Sequence, residues 1–454
     1  MALFSVNPAT GRRVAAYRTL SSPDLDRSLI RADTAQRAWR RLTPRQRATF
    51  IRSLGAALRA RAHALAALAA DEMGKPVSQG SAEVEKCAAV CDFYAKHGPA
   101  MLADTQPAGA DANARVTREP LGVILAIMPW NFPYWQVFRA GIPALLAGNG
   151  VLLKHAPNVS GCALAIEKVF AHAGFPPGVF QSLLIEVGTV PRLIADSRIR
   201  GVTLTGSTRA GTEVAALAGA ALKPVVLELG GSDPLIVFED ADLDRAAETA
   251  AMARLINSGQ SCLCAKRIIV QNSVLAEFTR RFVERVAARR MGDPTLTTTD
   301  IGPLARADLR DNLDAQIRRT VVEGAKVVLP GGTQGGHGFF YAPIILGGVT
   351  PGMTAFDEET FGPAAAIVSA RDETEAVRFA NATSYGLGAS IWTESKARAK
   401  RVVPQLESGC VFVNDLVRSS PELPFGGIKR SGFGRELGTW GLESFVNIKT
   451  VVGG

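Results

Sequence analysis

Gly122-Val-Ile-Leu-Ala-Ile-Met-Pro-Trp-Asn-Phe-Pro133 is a short apolar run that stops at a proline-braced polar turn. The run from Val123 to Met128 is too short for a globular helix, rich in branched residues and bounded by Gly and Pro, which predicts a strand buried on both faces. Similar runs recur at Gly150–Lys154, Val179–Ile185, Gly201–Thr205 and Val225–Leu229, with Ala-rich helical stretches between them. Strands alternating with helices predict a parallel, doubly wound α/β sheet, whose ligand crevice opens at the carboxyl ends of its strands. A second alternation begins at Leu235–Phe238 and continues through Ile268–Val270, Lys326–Leu329, Ile344–Leu346, Ala365–Ser369 and Val411–Val413. It predicts a second α/β domain, with Gly230-Gly231-Ser232-Asp233-Pro234 as the hinge. Upstream, residues 24–41 and 44–73 carry apolar side chains at helical spacing, and a further helix places Val84, Cys87, Ala88 and Cys91 on one face. Residues 104–119 read as a connection or exposed ribbon.

The bulk properties narrow the function. A chain of 454 residues suggests two or three domains, and 47% hydrophobic content is that of a soluble globular protein. No apolar run is long enough to span a bilayer, and the amino terminus lacks a basic n-region and an apolar h-region, so a cytoplasmic location is expected. Six cysteines are too sparse for a disulfide framework, and no His/Cys cluster has metal-ligand spacing. The net charge of +9 is spread along the chain among acids, which favours a solvated basic surface and anionic ligands over a nucleic-acid partner.

Chemistry-bearing residues fall at the predicted strand ends. Asn131, in its turn, is either a structural Asx residue or an amide donor to an oxygen that becomes negative. Lys154 puts a cation where a phosphate or ribose would lie. Gly206 and Ser207 open a helix after a strand, where free N–H groups suit a pyrophosphate, although the G-x-G-x-x-G fingerprint is absent. Glu228 is either a buried structural acid or a base with a raised pKa. Cys262, within Asn257-Ser-Gly-Gln-Ser-Cys-Leu-Cys-Ala-Lys-Arg267, is either a small buried hydrophobe or a reactive thiolate in a polar turn.

These stretches together resemble the NAD(P)-dependent aldehyde dehydrogenase superfamily over nearly the whole chain, from Asn7-Pro-Ala-Thr-Gly11 to the carboxyl terminus. The resemblance rests on Trp130-Asn-Phe-Pro133, Glu228-Leu-Gly-Gly231, Asn257-x-Gly-Gln-x-Cys262, Glu358-Glu-Thr-Phe-Gly-Pro363 and Pro424-Phe-Gly-Gly-Ile-Lys-Arg-Ser-Gly-Phe-Gly-Arg-Glu436. It implies a Rossmann-type cofactor domain over 1–103 and 121–231, a catalytic domain over 232–435, and a small β oligomerisation arm from 104–120 and 436–454, in a homodimer or homotetramer. It implies Cys262 as nucleophile, Asn131 as oxyanion donor and Glu228 as the base that activates the hydrolytic water. Trp130, Lys154, Gly206, Ser207, Glu359 and Phe361 would hold the cofactor. Members preferring NAD often carry an acid three positions after the lysine. Here that position is Pro157, so NAD is favoured over NADP only slightly.

Within the superfamily the chain is most similar to bacterial succinate-semialdehyde dehydrogenases, notably in Lys154-His-Ala-Pro-Asn158. That resemblance implies a carboxylate clamp from Arg139 and the Ser419-Ser420 stretch. The arginine often found six residues before the nucleophile is Ile256 here, and Arg418 is a candidate replacement. Other short aliphatic aldehydes, such as glutarate semialdehyde, and a catalytically retired binding or structural relative are the competing readings. Cys264 is either a packing residue or, as in some similar enzymes, the partner of Cys262 in a reversible disulfide.

Overall fold

The computed structural model of the protein describes residues 2–453. The strand Val123–Met128 lies inside a six-stranded sheet, whose order across is Gly432–Phe433, Val225–Glu228, Ile199–Thr205, Val123–Met128, Gly150–His155 and Phe180–Ser182. All pairings are parallel except the short Gly432–Phe433, which runs antiparallel to Val225–Glu228. The chain winds outward from Val123–Met128 to one side and then returns to build the other. That reversal separates the loops leaving Val123–Met128 and Ile199–Thr205 and opens a crevice at their carboxyl ends.

The second sheet has seven strands, ordered Lys326–Leu329, Ile344–Gly347, Ala364–Ala370, Ala265–Gln271, Asp233–Val237, Gly388–Trp392 and Cys410–Val413. Only Lys326–Leu329 is antiparallel to its neighbour. Gly388–Trp392, Gly-Ala-Ser-Ile-Trp, has too little β-branched character to be predicted, yet it is fully buried between two parallel neighbours. Tertiary packing overrides its weak propensity.

The helical stretch expected over 44–73 is two helices, Pro44–Arg59 and Ala62–Met73. The break at Ala60-Arg61 turns Leu54 and Leu58 of one half and Leu65 and Ala69 of the other into the same core. A hairpin of Ala2–Val6 and Arg13–Arg18, not expected from the sequence, is closed by Asn7, whose Oδ1 accepts from Ala9 N at 2.9 Å and Thr10 N at 3.1 Å.

Within 104–119 a strand does form: Ala114–Pro120 pairs antiparallel with Val446–Val452 as a separate two-stranded ribbon. Glu436, grouped with that arm in the sequence reading, is instead buried beside Arg139 in the interior. Likewise Gly432–Phe433 joins the first sheet rather than the second. Among the described residues, no helix is long and apolar enough to cross a membrane.

Candidate active site

A cleft of about 360 Å³ opens at the crevice of the first sheet, lined by Trp130, Asn131, Gly206 and Ser207 from that sheet and by Cys262, Glu359 and Phe361 from the other half. Cys262 thus faces the strand ends where the sequence placed its partners. The loop that carries it is held in an unusual backbone path. Asn257, Ser258 and Gly259 have φ of 53°, 57° and 74°, three left-handed residues in succession. Such a run persists only when its surroundings hold it.

Those surroundings are explicit. Asn257 Nδ2 donates to Asn131 O at 2.7 Å and to Gln260 O at 3.1 Å, and Asn257 N donates to Gln79 Oε1 at 2.7 Å. Ser258 Oγ donates to Gly302 O and accepts from Gly302 N, both at 3.0 Å. A Cβ on Gly259 would stand 2.2 Å from Gly362 O, so only glycine fits. Buried Arg254 donates to Thr360 O at 2.9 Å and Ala364 O at 2.5 Å, tying the cysteine loop to the Glu358–Pro363 loop. Buried Lys266 donates to Ser261 O at 3.1 Å and Cys262 O at 2.9 Å, and pairs with Glu359 at 3.3 Å.

Burial pushes the Cys262 thiol up to about 12, against the opposing pull of Arg139 and Lys266. Asn131 Oδ1 accepts from Gln136 Nε2 at 3.1 Å, which fixes the amide's orientation, and Asn131 Nδ2 donates to Gln260 O at 3.1 Å. One N–H of that amide remains for an oxygen in the cleft. Neutral His155 braces the same turn: burial lowers its pKa to about 4, Nε2 donates to Pro133 O at 2.8 Å, and Nδ1 accepts from Ala156 N at 2.9 Å.

Glu228 is buried behind the cleft wall, with Oε1 lacking a hydrogen-bond partner among the described residues. Burial raises its pKa well above the carboxylate range; Arg139, 4.0 Å away, opposes this and Glu436 adds to it. Of the cofactor candidates, Ser207 caps the helix Thr208–Ala220, Trp130 meets Phe361 edge to face at 5.8 Å, and Glu359 Oε1 accepts from Gly231 N at 3.1 Å. Lys154 lies at the end of its strand, outside the residues lining this cleft; burial lowers its pKa to about 8. The cleft, its helix start and its edge-to-face aromatic pair suit a nicotinamide dinucleotide.

The expected carboxylate clamp is placed differently. Arg139 is buried and ion-paired with Glu436, with Thr205 Oγ1 at 3.4 Å, so it presents no free fork to the cleft. Arg418 is exposed and bound to Asp415 at 2.5 Å. Ser419 is buried and accepts from Lys86 Nζ at 3.0 Å and Trp135 Nε1 at 3.1 Å, whereas Ser420 stands at a turn, its carbonyl accepting from Leu423 N. Cys264 is a buried free thiol near Ile256 O, 3.9 Å away, and does not line the cleft. Sequence reasoning passed over Arg254, Lys266, Gln136 and His155. Lys266 and His155 stood inside quoted motifs, but only the folded loops give them partners.

A protein with this doubly wound sheet and with a cysteine and an amide on one cleft belongs to a definable class: residues 2–451 match the family model described as "Aldehyde dehydrogenase family", and the chain belongs to that family. It is 48% identical to the NAD(P)+ succinate semialdehyde dehydrogenase Sad of Escherichia coli strain K12, over 98% of this chain and 97% of that one. It is 47% identical to a probable NADP+ succinate-semialdehyde dehydrogenase of Synechocystis, over 99% of both chains. Its fold superposes on the succinic semialdehyde dehydrogenase of Streptococcus pyogenes, solved with NADP+, with a TM-score of 0.96, 35% identity and 99% coverage of both chains.

Proposed function

We propose that this protein oxidises succinate semialdehyde to succinate with NAD or NADP. The observation that carries the reading is Cys262 beside Asn131 on one cleft with Glu359 and Phe361, in a chain whose relatives bear that substrate in their names. Cys262 loses its thiol proton to solvent, the thiolate adds to the aldehyde carbon, and the resulting oxyanion is held by Asn131 Nδ2 and the Cys262 N–H. A nicotinamide held in the cleft by Trp130, Glu359 and Phe361 would supply the hydride acceptor for this carbon. Glu228 then takes a proton from the water that cleaves the Cys262 thioester, returning the thiol and releasing the acid. Its elevated pKa suits that role, because a carboxylate reluctant to stay ionised is a stronger base.

Gly206, Ser207, Trp130, Glu359 and Phe361 would hold the cofactor in the cleft, with Lys154 reaching its adenosine ribose. His155, Ala156, Pro157, Asn158, Val159 and Ser160 follow Lys154 with no acid among them, so neither a ribose 2′-hydroxyl nor a 2′-phosphate is repelled. NAD remains only a slight favourite over NADP. The test is a kcat/KM panel of succinate semialdehyde, glutarate semialdehyde and neutral aldehydes with each cofactor. Succinate semialdehyde should lead with both; a neutral aldehyde leading would contradict the reading.

A further inference from the structure

Next along the chain from the Asn131 turn, a second pocket of about 180 Å³ is lined by Phe132, Trp135 and Ile256 together with Lys75, Glu83 and Lys86. Phe132 adjoins the oxyanion donor, and Ile256 begins the loop that carries the nucleophile. The ionic inventory of this pocket does not balance. Glu83 is fully used: Oε1 accepts from Tyr134 N and Trp135 N, both at 2.8 Å, and Oε2 pairs with buried Lys75. Lys86 is left with a neutral hydroxyl, Ser419 Oγ at 3.0 Å, and the face of the Trp135 ring at 4.3 Å. Ser419 Oγ already accepts from both Lys86 and Trp135, so its own proton has no acceptor among the described residues.

A half-buried ammonium with unspent N–H groups makes a receptor for a carboxylate, since it offers charge and directed hydrogen bonds beside apolar Phe132, Trp135 and Ile256, with Ser419 behind it to fix its position. We propose that Lys86, set by Ser419 and Trp135, is the cation that binds the far carboxylate of the substrate, in the place the sequence reserved for Arg139 and Arg418. This rests on the reading of the substrate as an aldehyde with a distal carboxylate. Burial, with Arg139 and Arg418 nearby, holds the Lys86 pKa down to about 8, consistent with a site short of negative charge.

The test compares kcat/KM for succinate semialdehyde with that for butanal in the wild type, Lys86→Met, Lys86→Arg and Ser419→Ala. Loss of one charge-assisted contact should lower the ratio of the two by on the order of 10- to 100-fold in Lys86→Met, chiefly through KM, with Arg restoring most of it. Ser419→Ala should shift the ratio the same way and guards against misfolding of the lysine variant. A wild type that discriminates while both Lys86→Met and Ser419→Ala retain the full ratio overturns the role of Lys86 and leaves the substrate reading standing. A wild type with no preference for the carboxylated aldehyde overturns both.

Discussion

Cys262 rests as a thiol, because burial outweighs the two cations that favour its charge. The thiolate fraction of a group with so high a pKa grows about tenfold per pH unit throughout the neutral range. Inactivation of the free enzyme by iodoacetamide should therefore accelerate about tenfold per unit from pH 7 to 9 without levelling, and a plateau below pH 8 would contradict a raised thiol pKa. Asn131 is the other residue whose role is separable. Removing one oxyanion donor costs about 10²–10³ in turnover, so Asn131→Ala should slow the single-turnover chemical step on that scale. Cys262, Asn131 and Glu228 could be singled out as candidates from sequence because each sits at a strand end or in a loop whose own sequence carries the signal. The ion pair of Arg139 was not legible because its partner, Glu436, comes from another part of the chain and is invisible to local pattern. The contact of Lys86 with Ser419 was not legible for the same reason, the two lying 333 residues apart.

At the level of elements, the cysteine loop runs over a left-handed backbone and is clamped from outside. Arg254 supplies that clamp by donating to carbonyls of the Glu358–Pro363 loop and Ala364 rather than to an acid. Arg254→Met strands these carbonyls and should reduce stability by on the order of 3 kcal/mol in denaturant unfolding, with lower turnover as the loops part. A stability within experimental error of the wild type would refute the clamp. The parallel strands were readable from their continuous apolar runs, since both faces are covered. Gly388–Trp392 was not, because it takes its conformation from Asp233–Val237 and Cys410–Val413 on either side. Nor was the break at Ala60-Arg61, which only the shared core of the two helices explains.

For the whole molecule, two α/β layers meet at one cleft, so each half contributes residues to its lining. The ribbon of Ala114–Pro120 and Val446–Val452 stands apart from both sheets and leaves Ile448 and Val452 exposed, 60% and 68%. Exposed strand edges of this kind invite pairing with another copy, and we propose the ribbon as the arm of a homodimer or homotetramer. Ending the chain at Phe445 should lower the molecular mass in solution seen by analytical ultracentrifugation; an unchanged mass would remove the ribbon from the interface. The alternation of strands and helices made both layers legible, but the boundary at Glu436 was not, since its burial depends on Arg139 across the fold. The most direct measurement of the central claim is aldehyde-dependent formation of NADH or NADPH by the wild type and by Cys262→Ala, with succinate semialdehyde and butanal as substrates. The wild type should reduce the cofactor with both, with kcat/KM at least about tenfold higher for the carboxylated substrate, and Cys262→Ala should show none above background. Oxidation that survives in Cys262→Ala, or a wild type inert toward both aldehydes, would contradict it.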